Sequence, residues 1–197
     1  MNKTELLIGR SDLDLLDDFY PDDLPNEWRF DYYSTLFKAL SLKIDTKEDL
    51  EQIFIELKES DEVFELVVYI EQTQLLEIPL LILLLQPIHQ YRSQFNLFCE
   101  LDEQPSNEVM KILSDYKLCF QSDKKLKFDL NTKLITNKYF YFTQFPILYT
   151  SNILDEKQIR NFLQDVSLVN TKIVLICKYA ESETLNKIRI IAEILGF

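Results

Sequence analysis

Glu100 and Asp102 stand two positions apart at the end of the apolar run F-N-L-F-C-E. On an extended strand such a pair shares a face, and two crowded carboxylates can hold a proton between them or bind a divalent cation. The competing reading leaves Asp102 in the loop beyond the strand, in water. His89, in Q-P-I-H-Q-Y, is the one histidine of the chain and its natural general base. Glu100 with His89, or with a divalent cation, would suit a hydrolase. A zinc site is not expected, because a single histidine cannot supply H-x-H or H-E-x-x-H and the ligands would have to be carboxylates and cysteines. Cys99, Cys119 and Cys177 are widely spaced in apolar settings without a C-x-x-C, which predicts buried free thiols and a reducing, cytoplasmic compartment. There is no G-x-S-x-G elbow, and two glycines cannot build a phosphate-cradling loop, so neither acyl-transfer chemistry nor a nucleotide cofactor is expected.

These residues need elements to position them. The stretch 78–86, I-P-L-L-I-L-L-L-Q, carries no charge and no alternation, and reads as a central strand buried on both faces. Further strands are predicted at 5–10, 38–44, 63–70, 95–101, 117–121, 124–130, 139–145 and 172–177. Helices are predicted from Leu24-Pro25 with Trp28, Tyr32, Leu36 and Phe37 inward, from Thr46 with Leu50, Ile53, Phe54 and Leu57 inward, and from Pro105-Ser106. Another begins at Asp155 with Gln158 in the capping-box position, and the last runs over 182–195 with Gly196 to cap it. Between the first strand and first helix, Asp12, Asp14, Asp17, Asp18, Asp22 and Asp23 form an acidic loop. It lacks the glycine and terminal Glu of a calcium loop.

The 197 residues fit one domain spanning the whole chain, and 47% hydrophobic residues with 14 Phe and 10 Tyr exclude disorder. Thirty-three acidic against 21 basic residues give a formal charge of -12, which repels phosphate backbones and anionic lipid. The densest basic group, Lys124, Lys125 and Lys127, is flanked by Asp123 and Asp129. Nucleic acid and membrane are therefore not expected partners, and no apolar run approaches the roughly 20 residues of a membrane span.

Strands alternating with amphipathic helices predict an α/β fold with a parallel sheet. At this length a TIM-type (β/α) barrel has to be compressed or incomplete, with an open doubly wound sheet as the alternative. Two connections, 71–77 and 87–94, are shorter than the ~10 to 12 residues of a regular crossover. Functional groups of parallel barrels gather where strands run out into the following loops. That rule selects Arg10, Ser11, Lys43, Asp45, Gln86, His89, Glu100, Asp102, Thr143, Gln144 and Lys178 around one mouth, each competing with the plain reading of a strand-end residue meeting water.

The order of motifs resembles the YecE-like family, a widespread group of uncharacterised proteins with an α/β barrel. Ile8-Gly9-Arg10-Ser11 is similar to the family's G-T-S-G-W-like turn, Phe19-Tyr20-Pro21 to its Y-P motif, and Asp31-Tyr32-Tyr33 to its Y-Y or Y-A pair. Residues 37–43 lie on F-N-T-V-E-I-N, Gln86-Pro87 on Q-L-P-P, Glu100-Leu101-Asp102 on E-F-R, 140–144 on Y-V-R-L-H-G and 173–179 on V-Y-V-Y-F-N-N. Gly9, Ser11, Gln86 and Glu100 are retained. Arg10, Ser41, Lys43, Asp102, Tyr141, Thr143, Gln144 and Lys178-Tyr179 replace Thr, Glu, Asn, Arg, Arg, His, Gly and Asn-Asn. The resemblance implies a divergent, non-catalytic barrel protein whose mouth takes a small molecule or protein weakly. The two competing functions are the hydrolase above and an acidic module that docks a basic partner.

Overall fold

The computed structural model of the protein describes residues 4–15, 19–59, 63–150, 155–167 and 172–197, without the side chains of 47–49, 59 and 167. Asp17 and Asp18 of the acidic loop lie outside the described residues. The described strands, in chain order, are β1 Glu5–Ser11, β2 Ala39–Lys43, β3 Glu65–Tyr69, β4 Phe95–Glu100, β5 Lys117–Ser122, β6 Asn131–Ile135, β7 Lys138–Phe142, β8 Ile147–Thr150 and β9 Lys172–Cys177. The helices are α1 Arg29–Leu36, α2 Lys47–Glu59, α3 Gln72–Leu76, α4 Ile78–Ile88, α5 Asn107–Leu113, α6 Glu156–Ser167 and α7 Ser182–Leu195.

All nine strands form one sheet in the order β6-β7-β5-β4-β3-β2-β1-β9-β8. Seven pair in parallel, with β1 lying between β2 and the last strand β9. A hairpin, β6–β7, adds antiparallel strands against β5. Six strand spacings of about 4.8 Å would put β5 and β8 nearly 29 Å apart in a flat sheet. Instead the Tyr149 amide donates to Gln121 Oε1 at 2.9 Å and the Ile147 amide contacts Cys119 Sγ at 3.2 Å. The sheet is therefore a curled half-barrel, not the open doubly wound sheet.

The stretch expected to be the central strand is a helix. Leu81, Leu84, Leu85 and Ile88 of α4 are buried at i, i+3, i+4 and i+7, while Leu83 is 59% exposed. Leucines outnumber β-branched residues here, and Pro79 sits in the first turn, where a missing N–H costs nothing. This also removes the difficulty of the two short connections. Residues 71–94 are one crossover carrying α3 and α4 between β3 and β4. A run apolar on every side cannot reveal its period, and its eleven helical residues exceed the usual strand.

Other expectations hold with adjusted edges. Asp155 and Gln158 cap α6 reciprocally, at 3.1 and 2.8 Å, Ser106 Oγ accepts from the Val109 amide to start α5, and Gly196 ends α7 at φ 89°. The expected strand at 124–130 is not one; the hairpin arm follows it at β6, and β8 was not anticipated. In α1 the buried stripe is Phe30 and Tyr33, followed by Phe37, while Trp28 and Leu36 are exposed. A 3-10 turn at Asn26–Trp28 precedes α1, and its tighter winding rotates the face.

Tyr33 takes part in the sheet itself. Its hydroxyl accepts from the Arg10 amide at 3.0 Å and donates to the Ala39 carbonyl at 2.8 Å, bridging β1 to β2. Gly9 makes room for this, since a Cβ there would lie 1.7 Å from the Ala39 carbonyl oxygen.

Candidate functional site

The parallel strands β1, β2, β3, β8 and β9 run out at one end of the half-barrel around a cavity of about 560 Å³. Polar residues interrupt the apolar strands at this end, of which Ser41 lines the cavity. Ser41, buried in A-L-S-L-K, is hydrogen bonded through Oγ to the Tyr149 hydroxyl. Gln121, 2% exposed, donates to Glu100 Oε1 at 3.2 Å and to the Tyr149 carbonyl at 3.3 Å while accepting from the Tyr149 amide. Its amide thus stands in for a neighbouring strand along β8. Glu100 Oε2 in turn accepts from Lys178 Nζ, and that ammonium lies 5.1 Å from the Tyr149 ring centre and 5.7 Å from that of Tyr69. Tyr149 stacks on both Tyr69 and Phe98. Burial pushes the Tyr69 phenol up to about 12, helped by the Glu100 charge, and pushes Tyr149 further still despite the bond to Ser41.

The rim is built from ion pairs. Lys43 meets Glu71 at 3.2 Å and Arg29 meets Asp14 at 3.5 Å. Arg10, 4% exposed, meets Asp12 at 2.9 Å and Glu181 at 3.7 Å. Asp12 turns the chain out of β1 at φ 61°, a conformation Asp tolerates, and its carboxylate accepts from the Asp14 amide at 3.0 Å. Desolvation raises the Asp12 pKa, with Arg10 opposing. Ser11 Oγ donates to the Lys178 carbonyl, tying the ends of β1 and β9 together.

Compared with known proteins, the chain matches no family model, no curated protein and no solved structure.

Of the residues chosen from strand ends, Arg10, Ser11, Lys43, Glu100 and Lys178 come together at this mouth. Asp102 lies beyond the end of β4, exposed, with its amide donating to Gln72 Oε1 at 2.6 Å, so it does not share the inward face of Glu100. Asp45 is exposed just past β2. Four others lie away from it. His89 Nδ1 bonds the Tyr116 hydroxyl at 2.9 Å, next to the start of β5, and Thr143 Oγ1 accepts from the Leu118 amide at 3.0 Å at that same end. Gln144 borders a separate hollow with Thr143 and Tyr116, and Gln86 is exposed on α4. The six residues of β4, rising about 3.3 Å each, hold Glu100 roughly 16 Å from the end where His89 sits, so the two cannot act on one bond. The physical reason is that α4 precedes β4 instead of being a strand itself, and that β7 runs antiparallel, which reverses the end at which Thr143 and Gln144 emerge. Among the described residues no three of His, Cys, Asp and Glu converge in a way that could hold a metal ion.

Ser41, Gln121, Tyr69 and Tyr149 were missed as site residues. Ser41 and Gln121 carried a usable signal, a single polar residue inside an apolar strand, which must point at a partner if it is buried. Tyr149 gave none, because β8 was not recognised.

Proposed function

We propose that this is a divergent YecE-like protein with an incomplete TIM-type barrel, whose mouth binds a small polar molecule and does not turn it over. Sequential parallel neighbours from β1 to β5 and from β8 through β9 back to β1 support the barrel reading, with one stave missing between β5 and β8. The observation that carries the binding reading is Lys178, which lines the cavity against the faces of Tyr149 and Tyr69 with its ammonium paired to Glu100. A few fixed polar groups among aromatic rings in a cavity of this size are the ordinary makings of a small-molecule site. The charged groups there are already matched with one another, which suits recognition better than proton transfer.

A thermal-shift screen of metabolites tests this. A ligand should raise the melting temperature of the native protein and lose that effect in Lys178→Met. Turnover of any screened compound that disappears in Glu100→Gln would refute the non-catalytic reading.

A further inference from the structure

We infer that the mouth takes a neutral, polyhydroxylated ligand of one or two sugar rings in size, an assignment that rests on the binding reading above. Every cation described at the mouth has its own carboxylate: Lys178 has Glu100, Lys43 has Glu71, Arg29 has Asp14 and Arg10 has Asp12. A phosphate or carboxylate ligand could share one of these cations only by setting a second negative charge beside the carboxylate already paired with it. A cationic ligand meets the converse obstacle. A vicinal diol meets neither, because one hydroxyl can donate to the carboxylate while its neighbour accepts from the ammonium, so the diol spans an ion pair without breaking it.

The rings add the second half of the argument. Tyr179 lines the cavity and is 69% exposed, and Tyr69 lines it half-buried. The C–H faces of a pyranose are apolar, and an aromatic face is the surface that removes them from water while leaving the hydroxyls at the ring edge free for the ion pairs. A cavity of about 560 Å³ lies within the roughly 300 to 1,000 Å³ of ordinary ligand pockets and accommodates one or two such rings.

The test follows mouth resonances of the full chain by NMR during titration with two matched probe sets. One set is D-glucose, maltose and myo-inositol. The other is D-glucose 6-phosphate, maltose 1-phosphate and myo-inositol 1-phosphate. The expected result is that a neutral probe shifts the Lys178 and Tyr179 signals, that its affinity is unchanged from low to high salt, and that Tyr179→Ala weakens it about tenfold without changing the melting temperature. If a charged analogue binds at the mouth about tenfold or more tightly than its neutral counterpart and salt abolishes it, the polyol assignment is overturned while the binding site stands. If no probe of either set moves a mouth signal, the assignment and the binding reading fall together.

Discussion

Gln121→Leu tests whether a side chain substitutes for a strand on the open side of the half-barrel. The leucine keeps the volume of the glutamine but leaves the Tyr149 N–H and C=O, now bonded to the Gln121 amide at 2.9 and 3.3 Å, without partners in a buried setting. Each of the two orphaned groups costs about 1 to 3 kcal/mol, and the added apolar burial returns about 1 kcal/mol, so the net loss is about 1 to 5 kcal/mol. With a urea slope of about 2 kcal/mol per molar, the unfolding midpoint falls by about 0.5 to 2.5 M. Gln121→Glu is the companion variant. It keeps an acceptor for the Tyr149 amide but sets a second carboxylate against Glu100, 3.2 Å from the present amide nitrogen. Burial and like charge raise the folded-state pKa of such a group, so its contribution to stability is fully present below about pH 4 and is lost as pH rises through the folded value. The cost of Gln121→Glu should therefore grow from acid to neutral pH. A midpoint shift for Gln121→Leu below about 0.3 M would refute the idea that this amide fastens β8.

Gly9→Ala pushes a methyl to within 1.7 Å of the Ala39 carbonyl oxygen, so β1 and β2 must part, and a loss above about 3 kcal/mol is expected in urea unfolding. Tyr33→Phe removes the hydroxyl between the Arg10 amide and the Ala39 carbonyl and should cost about 1 to 3 kcal/mol in the same assay. Burial pushes the Cys119 and Cys177 thiols up to about 12 and Cys99 higher still, so a disulfide reagent at pH 8 should modify none of them in the folded protein and all three after denaturation. Desolvation raises the Tyr20, Tyr33, Tyr69, Tyr116 and Tyr149 pKa values, so the stability they contribute is full below about pH 10 and falls as pH rises above it. Absorbance at 295 nm should show these five phenols ionising together with unfolding.

Elements whose ends carry their own chemistry were legible from residues alone. The Asp155–Gln158 box and Gly196 mark their helix ends because each acts on a backbone group within one turn. The 78–88 segment was not legible, because uniform apolarity carries no period, and its misreading moved His89 to the wrong end of the fold. The direction of 138–142 was equally hidden, since a strand pattern reads the same either way along, and Thr143 and Gln144 followed that error. Glu100 and Lys178 were selected as strand-end residues, but their pairing spans 78 positions and depends on the curl of the sheet.

The phenol of Tyr33 has one more effect. Because it is stitched into the hydrogen bonding between β1 and β2, helix α1 and the first strand cannot shift independently, and Ser11 ends that strand and Asp12 leaves it immediately after the stitched Arg10 amide. The aromatic cluster of Phe19, Tyr32, Tyr33 and Phe37 thus fixes, from outside the cavity, where the rim begins. Substitutions that loosen that cluster would be felt as a displaced doorstep, without touching a residue of the opening.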